Sequence, residues 1–214
     1  MAVSAAKVRA PKSSARRTAR LAVRSDLHAA AEAVFAEKGY AATKMTDIAE
    51  QAGVAVGTLY NYFPSKEEIF QEICLMRSGQ FMAALEPRER TACPMEQLGH
   101  IVRQSFAYLD EHSAIFAMFV ERGAHNEVDL ERIGGPVVDR EYVRFLALLD
   151  KTIRKAVAAG ELRRDLPVPT MVAALSGAMN GATYAWLKRR RRGRLASVAD
   201  DILTLFLSGA RVPS

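Results

Sequence analysis

From Leu27 onward, apolar residues recur at helical spacing, and the runs are separated by Gly, Pro and Ser. Leu27, Ala30, Ala31, Val34 and Phe35 share one face and predict a helix from about Ser25 to Lys38, closed by Gly39. Met45, Ile48, Ala49 and Ala52 then follow the i, i+3, i+4, i+7 rule, with Thr43 in N-cap position and Gly53 where a left-handed residue is wanted. Val54 is apolar just after that turn, where it would plug the angle between two helices. Ala55 to Phe63 restarts the pattern with Leu59 and Phe63 inward, leaving Thr58, Tyr60 and Tyr62 on other faces. Pro64 disfavours α geometry at Phe63 and ends this helix. Ser65 with Glu68 then spells a capping box, and Ile69, Phe70 and Ile73 continue the next stripe. Two short helices joined at a glycine, behind a supporting helix, predict a helix-turn-helix, the layout that sets its second helix into the major groove of DNA.

The remainder also reads as helical. A connecting helix should run from Ser65 to about Leu85, ending near Pro87. Pro94 opens another, with Leu98, Ile101, Val102, Phe106 and Leu109 inside. A short apolar segment, Ala114 to Val120, follows His112 and Ser113. Gly123 to Pro136 is polar, holds Gly134 and Gly135, and is expected to be a loop or a broken helix. A long helix should span about Val137 to Ala159, striped by Val143, Leu146, Leu149, Ile153 and Val157 and stopped by Gly160. The last two helices should cover about Pro169 to Leu187 and Leu195 to Leu207. The fold class is therefore all-α. It combines an N-terminal three-helix DNA-reading domain, residues 24–70, with a larger helical domain, residues 71–214.

Charge changes the picture at the N-terminus. The chain carries +6 overall, yet residues 1–24 hold Lys7, Arg9, Lys12, Arg16, Arg17, Arg20 and Arg24 and no acid, a contribution of +7. Residues 25–70 hold three lysines, no arginine and seven acids, a net −4. A basic arm must then supply much of the attraction to phosphate. Residues 1–23, rich in Ala, Ser and Arg with little to bury, are expected to be disordered when free. A second cationic run, Lys188 to Arg192 with Arg194, suits a helix C-terminus. It could otherwise touch DNA, acidic lipid or nucleotide.

The other compositional features mostly exclude. The chain is 50% hydrophobic, and its mean hydropathy of −0.04 is that of a soluble protein. No apolar run is long enough to span a bilayer, the basic N-terminus lacks the apolar core of a signal peptide, and a cytoplasmic protein is expected. Cys74 and Cys93 have neither metal-ligand spacing nor the number for a disulfide framework. The four histidines are scattered, and no zinc-protease, nucleophile-elbow, P-loop or dinucleotide fingerprint occurs. No catalytic residue, metal site or cofactor is expected.

The run AAEAVFAEKGYAATKMTDIAEQAGVAVGTLYNYFPSKEEIF resembles the N-terminal domain of the tetracycline-repressor (TetR) family of bacterial regulators, densely and in order, from about Arg24 to Phe70. Beyond Phe70 the resemblance is architectural only. It implies a dimeric regulator, commonly a repressor, that binds a palindromic operator and is released by a small molecule held in the C-terminal domain. Carried over by position, it places DNA contacts at Thr43, Lys44, Val56, Gly57, Thr58, Tyr60, Tyr62 and Lys66. Position 55 is often Ser in the family and is Ala55 here, so the reading helix lacks a hydroxyl cap, a loss of about 1 kcal/mol.

Two features fill out the C-terminal half. Ala174, Gly177, Ala178, Gly181 and Ala185 form a small-residue face open to close approach, and Ile202, Leu205 and Phe206 offer an apolar partner. The family pairs its final two helices with their copies in a four-helix bundle, so a homodimer is expected there. Candidate walls for a pocket holding an unidentified hydrophobic effector are Phe106, Phe116, Phe119, Tyr142, Phe145, Met171, Met179, Asn180 and Tyr184. Arg122, His112, Asn180 and Tyr184 could supply its polar groups. The alternative is a helical protein-interaction module that does not bind DNA.

Overall fold

The computed structural model describes residues 12–86, 93–121, 127–189 and 193–211, and every regular element among them is helical. In chain order they are α1 (Lys12–Lys38), α2 (Met45–Gln51), α3 (Val56–Tyr62), α4 (Lys66–Leu85), α5 (Pro94–Glu111), α6 (Ser113–Glu121), α7 (Glu127–Ala158), α8 (Val168–Lys188), a 3-10 turn (Leu195–Val198) and α9 (Ala199–Ala210). The chain divides into two compact units after Phe70, and α4 is continuous across that point.

In the first unit, Leu27, Ala31, Val34 and Phe35 of α1 are buried with Ile48, Ala49, Leu59, Phe63, Ile69 and Phe70. The rings of Phe35, Tyr40 and Phe70 meet with centroids 5.0–6.2 Å apart. Gly53 takes φ +65°, and the bonds Val54 N–H to Ala49 O and Gly53 N–H to Glu50 O close α2 in a Schellman motif. Phe63, just before Pro64, is extended at φ −140°, which stops α3.

Two readings of this unit change. The helix expected from Ser25 begins instead at Lys12, so residues 12–23 of the expected disordered arm are helical. Residues 1–11 lie outside the described set. The physical reason is propensity plus continuation. Ala, Arg and Leu are strong helix formers, and adding turns to a helix already anchored by Leu27 and Ala31 needs no new nucleus. The cap of α2 is Lys44 rather than Thr43. The Thr43 hydroxyl instead donates to Gly39 O at 2.7 Å, and Asp47 turns back to accept from Lys44 N–H at 2.8 Å.

The second unit has its own core. Leu98, Ile101, Val102 and Phe106 of α5 pack with Phe145, Leu149, Ile153 and Ala156 of α7, Met171, Leu175, Met179 and Trp186 of α8, and Ile202 and Leu203 of α9. Gly160, at φ +76°, ends α7 as its spacing predicts. The chain then returns beside the end of α9, where Arg163 N–H donates to Ala210 O at 2.8 Å.

Here too the sequence reading needs correction. Residues 127–136, expected as loop or broken helix, belong to α7, which runs through Gly134, Gly135 and Pro136. Their propensity penalties are local, whereas the helix is nucleated by the packed segment that follows. Residues 123–126 are outside the described set. The buried stripe of α7 is Phe145–Leu149–Ile153–Ala156, not one through Val143, which is 55% exposed. Leu195 to Val198 is a 3-10 turn, so α9 starts four residues later than expected.

Candidate nucleic-acid interface

The first unit presents α3 with one face inward and the other free. Leu59 anchors the inner face. Val56, Gly57 and Tyr60 are exposed, with Tyr60 at 50%, and Thr58 and Tyr62 are half-buried. A Cβ on Gly57 would meet nothing within 4 Å, so the protein's own packing does not require the glycine. Its exposed backbone lets another surface come close. Val56 can meet a thymine methyl, Thr58 a base edge or phosphate, and a tyrosine hydroxyl a phosphate. Ala55 is the N-cap of α3 and makes no side-chain cap, as its lack of a hydroxyl requires.

The remaining expected contacts separate by environment. Lys44 is exposed at the start of α2. Thr43 is buried, with its hydroxyl committed to Gly39 O. Lys66 is half-buried, and its Nζ donates to Tyr40 O at 2.7 Å and Thr43 O at 2.8 Å. The same ammonium lies 4.4 Å from the Tyr40 ring centroid, and the Tyr40 hydroxyl donates to Glu67. Lys66 therefore ties the first turn of α4 to the loop that leads into α2. An ammonium has three N–H bonds, so at least two are spent within the domain.

Two of the three lysines in residues 25–70 are committed within the unit. Lys38 pairs with Asp47 at 3.1 Å, and Lys66 is turned onto carbonyls. The hydrogen bond from Lys44 N–H, then the Lys38 ammonium, holds the Asp47 carboxyl below its ordinary range. Arg16, Arg17 and Arg20 on the N-terminal turns of α1 are exposed. Arg24 donates to Tyr62 O at 3.2 Å and stacks 4.4 Å from the Phe63 centroid, and Arg20 lies 5.7 Å from that of Tyr62. The basic part of α1 is thus fastened to the C-terminal end of α3. Sequence reasoning assigned these arginines to an arm and missed that role. The signal was present: Arg20 and Arg24 continue the Leu27–Ala31 face backward at helical spacing.

In the second unit, the expected pocket residues fall into two groups. Phe106, Phe145, Met171 and Met179 are buried core. Phe116, Tyr142 and Tyr184 are half-buried, and Asn180 is exposed, with its amide donating to the Tyr142 hydroxyl at 3.0 Å. His112 is half-buried, its ring 4.3 Å from that of Tyr108. The side chain of Phe119 and all of Arg122 lie outside the described residues. Ala174, Gly177, Ala178, Gly181 and Ala185 are all exposed along one side of α8.

An exposed second helix on a Schellman-closed turn, backed by a basic supporting helix, defines a helix-turn-helix DNA-binding protein. The family model for bacterial regulatory proteins of the tetR family matches residues 27–73. The fatty acid metabolism regulator protein of Bacillus subtilis is 27% identical over 183 residues, 84% of this chain and 91% of that one. The transcriptional repressor KstR2 of Mycobacterium tuberculosis is 41% identical over 96 residues, 42% of this chain and 46% of that one. In three dimensions the chain is similar to the B. subtilis regulator FadR, solved in complex with stearoyl-CoA. The TM-score is 0.72 at 25% identity, over 86% of this chain and 97% of that one. Residues 27–73 therefore carry the DNA-binding domain of the tetR family of bacterial regulatory proteins, and the chain is a DNA-binding transcriptional regulator. Among the described residues no helix is long and apolar enough to cross a membrane, and no cluster of ligands could hold a metal ion.

Proposed function

We propose that this protein is a cytoplasmic repressor that binds a palindromic operator as a homodimer and leaves it when a long-chain acyl-CoA or a chemically similar thioester occupies the second unit. The observation that carries the reading is the free outer face of α3, with Val56, Gly57 and Tyr60 uncovered and Thr58 beside them. Two such helices related by a two-fold axis would meet half-sites about 34–36 Å apart. The two-fold partner is supported by α8 and α9. A Cβ on Gly177 or Gly181 would touch nothing within 4 Å in the protomer, so the glycines serve no packing inside it. Leu205 is 74% exposed on the neighbouring helix.

The effector reading rests on likeness and on chemistry. Stearoyl-CoA is the ligand in the B. subtilis FadR structure. In this chain, a Phe- and Met-rich core bordered by the Asn180–Tyr142 pair offers the apolar surroundings and few polar groups that such a ligand needs. Ligand would act by favouring a dimer whose reading helices no longer match the operator, and only as far as its affinities for the two states differ. The test is a mobility-shift titration of the full chain on the DNA upstream of its own gene, at several salt concentrations, with and without stearoyl-CoA. Salt-dependent binding reversed by micromolar stearoyl-CoA is expected. Absence of binding to any duplex at low salt would overturn the DNA reading, and binding indifferent to acyl-CoA would overturn the effector reading.

A further inference from the structure

The C-terminal end of α8 carries more positive charge than a helix terminus calls for. A helix C-terminus bears roughly half a negative charge. Six of the seven residues from Lys188 to Arg194 are Lys or Arg. Lys188 and Arg189 are exposed, and neither has a carboxylate partner among the described residues. Arg194 is 86% exposed at its side chain and lies 3.8 Å from Asp110, a loose pair whose carboxylate also accepts from Ala196 N–H at 3.5 Å. Trp186 is buried, its indole N–H donates to Gly193 O at 2.9 Å, and Gly193 takes φ +77°. That bond returns the chain, one residue before Arg194, to the last turn of α8, two residues before Lys188. Lys188, Arg189 and Arg194 therefore flank the two ends of the Trp186–Gly193 bond.

Lys188 lies on the side of α8 that also carries Asn180 and Tyr184. Asn180, Tyr184 and Lys188 are spaced i, i+4, i+8 along one side of α8. Asn180 reaches the Tyr142 hydroxyl, and the Lys188 ammonium lies 5.4 Å from the Tyr184 ring centroid. A polar track therefore leads along α8 from Asn180 to Lys188.

Resting on the acyl-CoA reading above, we propose that Lys188, Arg189 and Arg194 form the subsite for the phosphates of the coenzyme A group, with the acyl chain directed along the Asn180–Tyr184 side of α8 toward the core. A pyrophosphate and a ribose phosphate on one ligand need several cations in a small area, and guanidinium forks match phosphate geometry. Fatty acid without the coenzyme has no use for these cations.

The test compares wild type with the double variant Arg189→Gln/Arg194→Gln and with Lys188→Gln, by calorimetric titration of the full chain with stearoyl-CoA, stearate and coenzyme A alone. Stearoyl-CoA should bind the double variant about tenfold or more weakly, as expected when charge-assisted bonds to phosphate are removed. Stearate binding and operator affinity without ligand should be unchanged. Equal stearoyl-CoA affinity in wild type and variants would overturn the subsite while leaving the effector reading intact. A weakening shared equally by stearate would overturn it too, because the cause would then be the pocket itself. Weaker operator binding with unchanged stearoyl-CoA affinity would reassign the cations to DNA. No stearoyl-CoA binding by wild type would remove the effector reading and the subsite together.

Discussion

At Asp47 and Lys66, single side chains hold the DNA-reading unit in register. Asp47 joins Lys44 N–H and the Lys38 ammonium, and its carboxyl titrates below the ordinary range. Because the folded-state value is the lower one, its contribution to stability is full above about pH 4. It is lost as pH falls through the depressed folded value. In Asp47→Asn, thermal melts between about pH 5 and 3 should therefore fall less steeply than in wild type. Parallel slopes would show that another carboxylate controls the acid limb. Lys66 supports two loop carbonyls, and Lys66→Met strands both. A hydrogen bond to a charged group contributes about 1.5–3 kcal/mol, so urea unfolding should show a loss on that order. Were Lys66 only a phosphate ligand, stability would stay fixed while the salt slope of operator binding fell by about one unit.

Individual elements owe their ends to local rules and their lengths to context. The left-handed Gly53 joins α2 to α3, and its missing Cβ faces open space. Gly53→Ala should cost about 1–2 kcal/mol from backbone strain alone, measured by chemical denaturation, with no clash to add to it. The basic overhang of α1 is a different case. It protrudes as a helix carrying Arg16, Arg17 and Arg20 and is fastened to α3 by Arg24. Replacing Arg16 and Arg17 with Gln should leave the melting temperature unchanged. The slope of log K against log salt should become shallower by about 0.9 for each phosphate that is no longer neutralised. An unaltered slope would show that the overhang does not touch DNA. Helix ends were the most legible part of the sequence, since Gly39, Gly53, Pro64 and Gly160 act through their own backbones. The start of α1 and the passage of α7 through Gly134–Pro136 were not, because extending a helix that is already nucleated needs no new nucleus, and local propensity does not report where that nucleus lies.

The whole molecule must work as a pair for the proposed function, and its open α8–α9 face supports that arrangement. Gly181→Leu places a large side chain where the protomer has room, and it raises helix propensity. Protomer stability should hold or rise, while light scattering at micromolar concentration should show monomer and operator affinity should collapse. A variant that stayed dimeric would exclude this face as the interface. The face was legible in sequence as small residues at helical spacing, and all five members are exposed in the structure. The pocket was far less legible. Phe106, Phe145, Met171 and Met179 look alike in sequence whether they line a cavity or fill a core, and the fold places them with the core.

Periodicity, glycine placement and charge asymmetry by themselves determined that this chain is helical, that it carries a helix-turn-helix near its N-terminus and that its basic character is concentrated outside that motif. These are local or additive properties, readable one residue at a time. Only the tertiary structure decided that Lys66 and Thr43 face inward, that Arg20 and Arg24 lean on the end of α3, and that the Trp186 indole bonds back to Gly193, the neighbour of Arg194. Those outcomes depend on which residues distant in sequence become neighbours, and no single stretch of chain specifies that.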